Sequence, residues 1–135
     1  MVGLPLNVVD NHYLTLFPTA TEGTLFNFYQ NYVMLSNLYA GQGYWLYFEE
    51  ENITNIIGNE YYEITIQIQE RWNLISGISA NLVLSNIDDP DGLIVSETCY
   101  HFENSLYNNI QIIEPGKSYW VYSNGFGFIY LSNLN

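Results

Sequence analysis

From Tyr62 to Gln69 apolar and polar residues alternate without a break, with Tyr62, Ile64, Ile66 and Ile68 in one set and Glu63, Thr65, Gln67 and Gln69 in the other. Successive side chains of an extended chain point to opposite faces, so this alternation predicts a half-buried strand. Arg71 to Ile78 follows directly as a second strand. Near the C-terminus, Phe126 to Leu131 comes after the turn signal Ser123-Asn124-Gly125 and is expected to form a hairpin with Ser118 to Tyr122. Its counterpart earlier in the chain is Ile53 to Ile57, behind the acidic turn Glu49-Glu50-Glu51-Asn52. No long stripe of helical period is present, and only Val8 to Leu16 and Leu82 to Ile87 are expected to hold short helical turns.

The pattern also repeats. Ala40-Gly41-Gln42-Gly43-Tyr44-Trp45-Leu46-Tyr47 recurs 75 positions later as Pro115-Gly116-Lys117-Ser118-Tyr119-Trp120-Val121-Tyr122. The register extends back to Gly3 and Gly77, 74 apart, and takes in two middle segments that place a glycine before an aromatic run, Gly23 to Phe28 and Gly92 to Phe102. One long repeat implies two similar substructures rather than a solenoid of many short units. The expectation is a mainly β, single domain over residues 1–135, sandwich- or barrel-like, with two pseudo-symmetric halves at about 3–58 and 77–132. Strands at 60–76 join them.

At 135 residues and 48% hydrophobic content the chain can bury one good core, too little for two domains of ordinary size. Charge narrows the partners: Arg71 and Lys117 stand against 14 acids, for a formal charge of -12. Nucleic acid is excluded as a partner, since displacing its counterions needs a cationic surface. An anionic membrane repels such a surface too, and no apolar run approaches the ~20 residues of a spanning helix. Only 12% of residues are charged, so Asn, Gln, Ser, Thr and Tyr supply most of the polar surface, as in extracellular modules. The single Cys99 forms no internal disulfide and reads as a buried thiol. No signal segment follows Met1, and Met1-Val2 reads as an artificial start or the start of a fragment of something longer.

Leu4-Pro5-Leu6-Asn7-Val8-Val9-Asp10-Asn11, Leu16-Phe17-Pro18-Thr19-Ala20-Thr21 and Gly41-Gln42-Gly43-Tyr44-Trp45-Leu46 resemble the first half of a duplicated module of bacterial secreted proteins. Trp72-Asn73-Leu74-Ile75-Ser76-Gly77 and Ile113 to Val121 resemble its second half. In that family the module typically sits near the C-terminal end of large exported proteins, often beside a type IX sorting tail, and its biochemical role is not established. The resemblance implies a secreted or cell-surface location within a larger protein. Two departures stand out: the first half begins abruptly at Val2-Gly3 where the family opens on Gly-Trp-Asn-Leu, and Ser118 stands where Gly is commoner.

Among candidate sites, the two aromatic strands come first. Tyr44, Trp45, Tyr47, Tyr119, Trp120 and Tyr122 read either as core rings or as a platform on which sugar rings stack, flanked by Asn, Gln and Asp. Asp88, Asp89 and Asp91, in Asp88-Asp89-Pro90-Asp91-Gly92, are the one metal candidate: hard-oxygen ligands for a structural calcium, or a plain β-turn. Cys99 and His101 share a strand face but no nucleophile motif, His12 stands alone in a loop or at an edge, Glu49-Glu50-Glu51 reads as a solvated tip, and Asn52-Ile53-Thr54 matches a glycosylation acceptor by chance. No phosphate loop, zinc spacing or serine elbow is present. The expected function is a non-catalytic accessory or adhesion module contacting neutral polysaccharide or another surface protein, without a cofactor. A structural spacer is the alternative, and a glycoside-active enzyme comes third.

Overall fold

The computed structural model describes residues 1–51 and 53–134. The chain forms β1 (Val2–Gly3), β2 (Leu6–Asn7), one helical turn α1 (Tyr13–Leu16), β3 (Phe26–Tyr29), β4 (Asn31–Met34), β5 (Gly43–Tyr44), β6 (Asn59–Glu60), β7 (Glu63–Ile68) and β8 (Arg71–Ser76). After these come β9 (Leu82–Val83), a 3-10 turn (Leu84–Asn86), β10 (Tyr100–Glu103), β11 (Leu106–Asn109), β12 (Ile112–Ile113), β13 (Ser118–Ser123) and β14 (Gly127–Ser132). The protein is mainly β, its sheets do not close into a barrel, and the two helical turns fall inside the two expected segments. The turn α1 starts where His12 Nδ1 accepts the Leu14 N–H at 3.2 Å, a capping bond.

The longest ladders are β8 with β13 and β7 with β14, both antiparallel. Because β7 runs straight into β8 and β13 into β14, the four form one two-stranded ribbon bent in the middle, its arms in different sheets. At the bend Asn124, Gly125 and Phe126 oppose only Gln69 and Glu70, and such an extra residue turns a ribbon sharply. Arg71 takes a left-handed backbone, φ 78°, to make the corner. The buried Asn73 side chain ties it: its Oδ1 accepts the Gln69 N–H at 2.8 Å, and its Nδ2 donates to the carbonyls of Gln69 at 2.9 Å and Arg71 at 3.1 Å. The expected hairpin of Ser118–Tyr122 with Phe126–Leu131 is therefore corrected: the turn at Ser123 is a corner between layers. Ile66, Ile68, Ile129 and Leu131 of one arm close on Ile75, Tyr119 and Val121 of the other. That face-to-face contact is the core of a β sandwich.

The sheet of β8 and β13 continues through β10 to β11. Asn104 and Ser105 both take positive φ between β10 and β11, the two-residue turn that matches strand twist. Residues before Gly58 gather a separate cluster around Leu4, Leu16, Leu25, Leu38, Tyr44 and Leu46. The strands expected to join the halves, β7 and β8, pair with strands of the second one. No strand is found at 53–57, and Asn52 lies outside the described residues.

Hydrogen bonds of one kind occur at two places along the chain. Thr21 N–H donates to the Tyr47 carbonyl, and Val95 N–H to that of Tyr122, both at 2.9 Å. The Thr24 hydroxyl accepts the Tyr47 N–H and donates to the Thr21 carbonyl, and Thr98 does the same for Tyr122 and Val95. Across the middle, Gly3 N–H donates to the Gly116 carbonyl at 3.1 Å, and Ser76 N–H to that of Gly41 at 2.9 Å. The backbones approach so closely here that a Cβ on Gly3 would stand 2.2 Å from Ser76 Cβ, and one on Gly43 2.7 Å from Ser118 Cβ.

Candidate functional site

Strand alternation decides which rings reach the surface. In β13 Tyr119 and Val121 turn into the core, so Trp120 and Tyr122 lie on the opposite face. Register then places their neighbours: Trp72 opposite Tyr122, Tyr100 opposite Trp120, and Tyr107 opposite Phe102. Trp72, Trp120, Tyr100 and Tyr107, one from each strand of the four-stranded sheet, line a groove of about 480 Å³ that Phe28 of β3 completes.

The rings lock one another edge to face. Phe28 meets Trp120 at 5.1 Å between centroids and 74° between planes, and Trp72 meets Trp120 at 6.4 Å and 85° and Tyr122 at 5.3 Å and 83°. Such contacts fix ring orientation before any ligand arrives. Trp72 is 41% exposed and Tyr107 52%. The walls are almost entirely carbon, with hydroxyls of Tyr100 and Tyr107 and indole N–H groups as the polar points.

A second cleft of about 480 Å³ shares Phe28 and Trp72 with the groove as lining residues. Its other walls include Gln30, Gln42, Gln67, Gln69, Glu70 and Arg71. Four amides, a carboxylate and a guanidinium thus stand beside the ring-lined groove, offering donors and acceptors together. The bend of the ribbon presents Gln69, Glu70 and Arg71, so the corner that Asn73 ties is also one wall of the cleft.

Of the six rings expected from sequence, the structure gathers only part. Tyr44 and Tyr119 are 0% and 1% exposed and cannot offer a face to a ligand, which corrects their assignment. Their hydroxyls instead accept the N–H groups of Tyr39 and Glu114, each at 2.8 Å, and burial pushes both phenols up to about 12. Trp120 lines the groove and Tyr122 packs on Trp72 at its rim. Trp45 is half-buried with its ring against Phe102 at 5.3 Å and its Nε1 buried with no hydrogen-bond partner among the described residues, while Tyr47 is exposed away from the groove. Phe28, Trp72, Tyr100 and Tyr107 were missed. A readable signal existed for Trp72, which stands at the outward position one residue before the corner-tying Asn73.

The remaining candidates resolve locally. Asp89 spends both carboxylate oxygens on the N–H groups of Leu93 and Ile94, at 2.9 and 2.8 Å, and Gly92 N–H closes the turn on the Asp89 carbonyl at 3.0 Å. Among the described residues no group of three His, Cys, Asp or Glu side chains is placed to hold a metal ion, Asp88, Asp89 and Asp91 included. Burial pushes the Cys99 thiol up to about 12, so it stays protonated. His101 Nδ1 lies 2.9 Å from the Ser118 carbonyl, which can only accept, so that nitrogen carries a hydrogen. Lys117 pairs with Glu114 at 2.5 Å. Glu49, Glu50 and Glu51 are exposed, and the Asn52 acceptor lies outside the described residues.

Compared with known proteins, the chain matches no family model, no curated protein and no solved structure. Among the described residues no helix is long and apolar enough to cross a membrane.

Proposed function

We propose that the protein is a non-catalytic binding module, an accessory or adhesion unit of an exported bacterial protein, that holds neutral polysaccharide in the ring-lined groove. The observation that carries this reading is that the groove of Phe28, Trp72, Tyr100, Tyr107 and Trp120 shares Phe28 and Trp72 with an amide-walled cleft. Sugar rings present apolar C–H faces and a rim of hydroxyls that both donate and accept. Aromatic walls answer the first and Gln30, Gln42, Gln67 and Gln69 the second. A formal charge of -12 favours a neutral partner over an acidic one.

The two halves are read as copies of one unit, on the recurring hydrogen bonds at Thr24 and Thr98 and at Tyr44 and Tyr119. The copies serve unequally: the second supplies Tyr100, Tyr107 and Trp120, the joining strand β8 supplies Trp72, and the first copy only Phe28. Each ring-to-sugar contact contributes on the order of 1 kcal/mol, so single sites bind weakly and copies on one surface act together. The test is a glycan array probed with multivalent protein, wild type against Trp72→Ala and Tyr107→Ala. Binding to neutral glycans that both replacements weaken supports the reading. No glycan above background, or binding indifferent to both, contradicts it and leaves a structural spacer.

A further inference from the structure

The rings of the groove are not laid out as a flat platform. Trp120 stands at 74° to Phe28 and 85° to Trp72, and Trp72 meets Tyr100 at 56° with centroids 6.3 Å apart. Rings set at such angles make walls that meet, and walls that meet enclose a rounded group on several sides. A pyranose, being flat, covers one ring face at a time. Among the described residues no carboxylate, amide, Lys or Arg side chain lines the groove, and its polar points are the hydroxyls of Tyr100 and Tyr107 and the indole N–H groups.

Charge sets the sign of the guest. The protein carries -12, and between Trp72 and Lys117, the stretch that supplies Tyr100 and Tyr107, there is no Lys or Arg. Lys117 is paired with Glu114, and Arg71 shares the neighbouring cleft with Glu70. A cation is drawn toward such a surface, and the negative faces of aromatic rings attract it again inside the groove. An ordinary ammonium or guanidinium brings N–H groups that walls of carbon leave unpaired, at the cost of its hydration. A trimethylammonium group has no N–H and spreads its charge over methyls.

We propose that the groove holds the trimethylammonium group of a choline substituent on the polysaccharide, while the glutamine side chains of the cleft that shares Phe28 and Trp72 meet the hydroxyls of the adjoining sugar. The head group follows from ring angles and charge; only its carrier rests on the glycan reading above. Choline joined through a phosphodiester leaves the polysaccharide neutral overall, because the phosphate and the ammonium cancel.

The intact protein is titrated with choline, with the uncharged alcohol in which carbon replaces its nitrogen, and with ethanolamine, following the indole N–H resonances. Choline is expected to bind about fivefold or more tighter than either, and to move Trp72 and Trp120 but not Trp45. Tyr107→Leu, which keeps apolar bulk at an exposed position, is expected to weaken choline and leave the uncharged alcohol nearly unchanged. Equal affinity for choline and the uncharged alcohol shows an apolar slot indifferent to charge, and equal affinity for ethanolamine shows attraction to the surface alone; either overturns the proposal. So does the absence of any shift at Trp72 and Trp120 in excess choline. Retention on phosphatidylcholine vesicles but not on choline-substituted dextran places the head group in a membrane and overturns it too. Neutral oligosaccharides without choline test the glycan reading, so each can fail while the other stands.

Discussion

The indole of Trp72 stands nearly perpendicular to that of Trp120, planes at 85° and centroids 6.4 Å apart. Neither ring can tilt without displacing the other, which makes the groove a shaped site before a ligand enters. Trp72→Ala removes that contact and the one with Tyr122, for a loss of about 1–2 kcal/mol of stability, while Trp72→Phe keeps most of it. Denaturant unfolding of both variants checks the figure, and equal losses for Phe and Ala would deny the edge-to-face packing.

Tyr44→Phe and Tyr119→Phe each leave one backbone N–H, of Tyr39 or Glu114, without its acceptor. Each costs about 1–2 kcal/mol, and because the two bonds share no partner the double variant loses their sum. A double variant far from additive would show that the two sites are coupled.

The buried phenols also set an alkaline limit. Tyr44, Tyr61 and Tyr119 are raised from 10.0 to about 12 by burial, so folding holds their neutral forms. That contribution is complete below pH 10 and is lost as pH rises through 10 to 12, where the unfolded chain releases protons first. Unfolding midpoints followed across that window are expected to fall, and to fall less steeply in the Tyr44→Phe, Tyr119→Phe double variant.

Gly43→Ala puts a Cβ 2.7 Å from Ser118 Cβ, 2.8 Å from Leu74 Cγ and 2.9 Å from the Ile75 carbonyl, with core and backbone on three sides. A loss of about 2–3 kcal/mol is expected. Gly116→Ala meets no atom within 4 Å and is strained only through its φ of 83°, so it costs about 1 kcal/mol. Calorimetry ranks the two, and the reverse order would contradict the close approach of the halves.

At the corner, Arg71→Gly relieves a left-handed backbone and stabilises by up to about 1 kcal/mol, whereas Arg71→Val destabilises by at least as much. Asn73→Leu, which keeps size and removes three hydrogen bonds, costs about 3 kcal/mol. Thermal unfolding separates them, and an Asn73→Leu variant as stable as the parent would remove Asn73 from its role.

The β class was legible in the chain because the alternation from Tyr62 to Gln69 leaves one buried face, and Ile66 and Ile68 lie in the core as that pattern requires. Pairing was less legible. Ser123-Asn124-Gly125 has the composition of a hairpin turn, and nothing local distinguishes such a turn from a corner that carries a strand into the next layer. The corner is set by Asn73, about 50 residues away, through register across the ribbon. Two of the six expected rings, Tyr44 and Tyr119, failed for a related reason: period two gives two faces but not which one a neighbouring layer covers, so they carried the same local signal as Trp45 and Trp120. Tyr100 and Tyr107 became visible only once β10 and β11 were placed beside β13.

The most direct test of the binding reading follows the three indole N–H resonances while neutral oligosaccharides are added to the whole protein. Trp72 and Trp120 line the groove and Trp45 does not, so the protein carries its own control. Shifts at Trp72 and Trp120 with Trp45 unmoved are the predicted result. All three moving alike, or none moving with any neutral oligosaccharide, would contradict it.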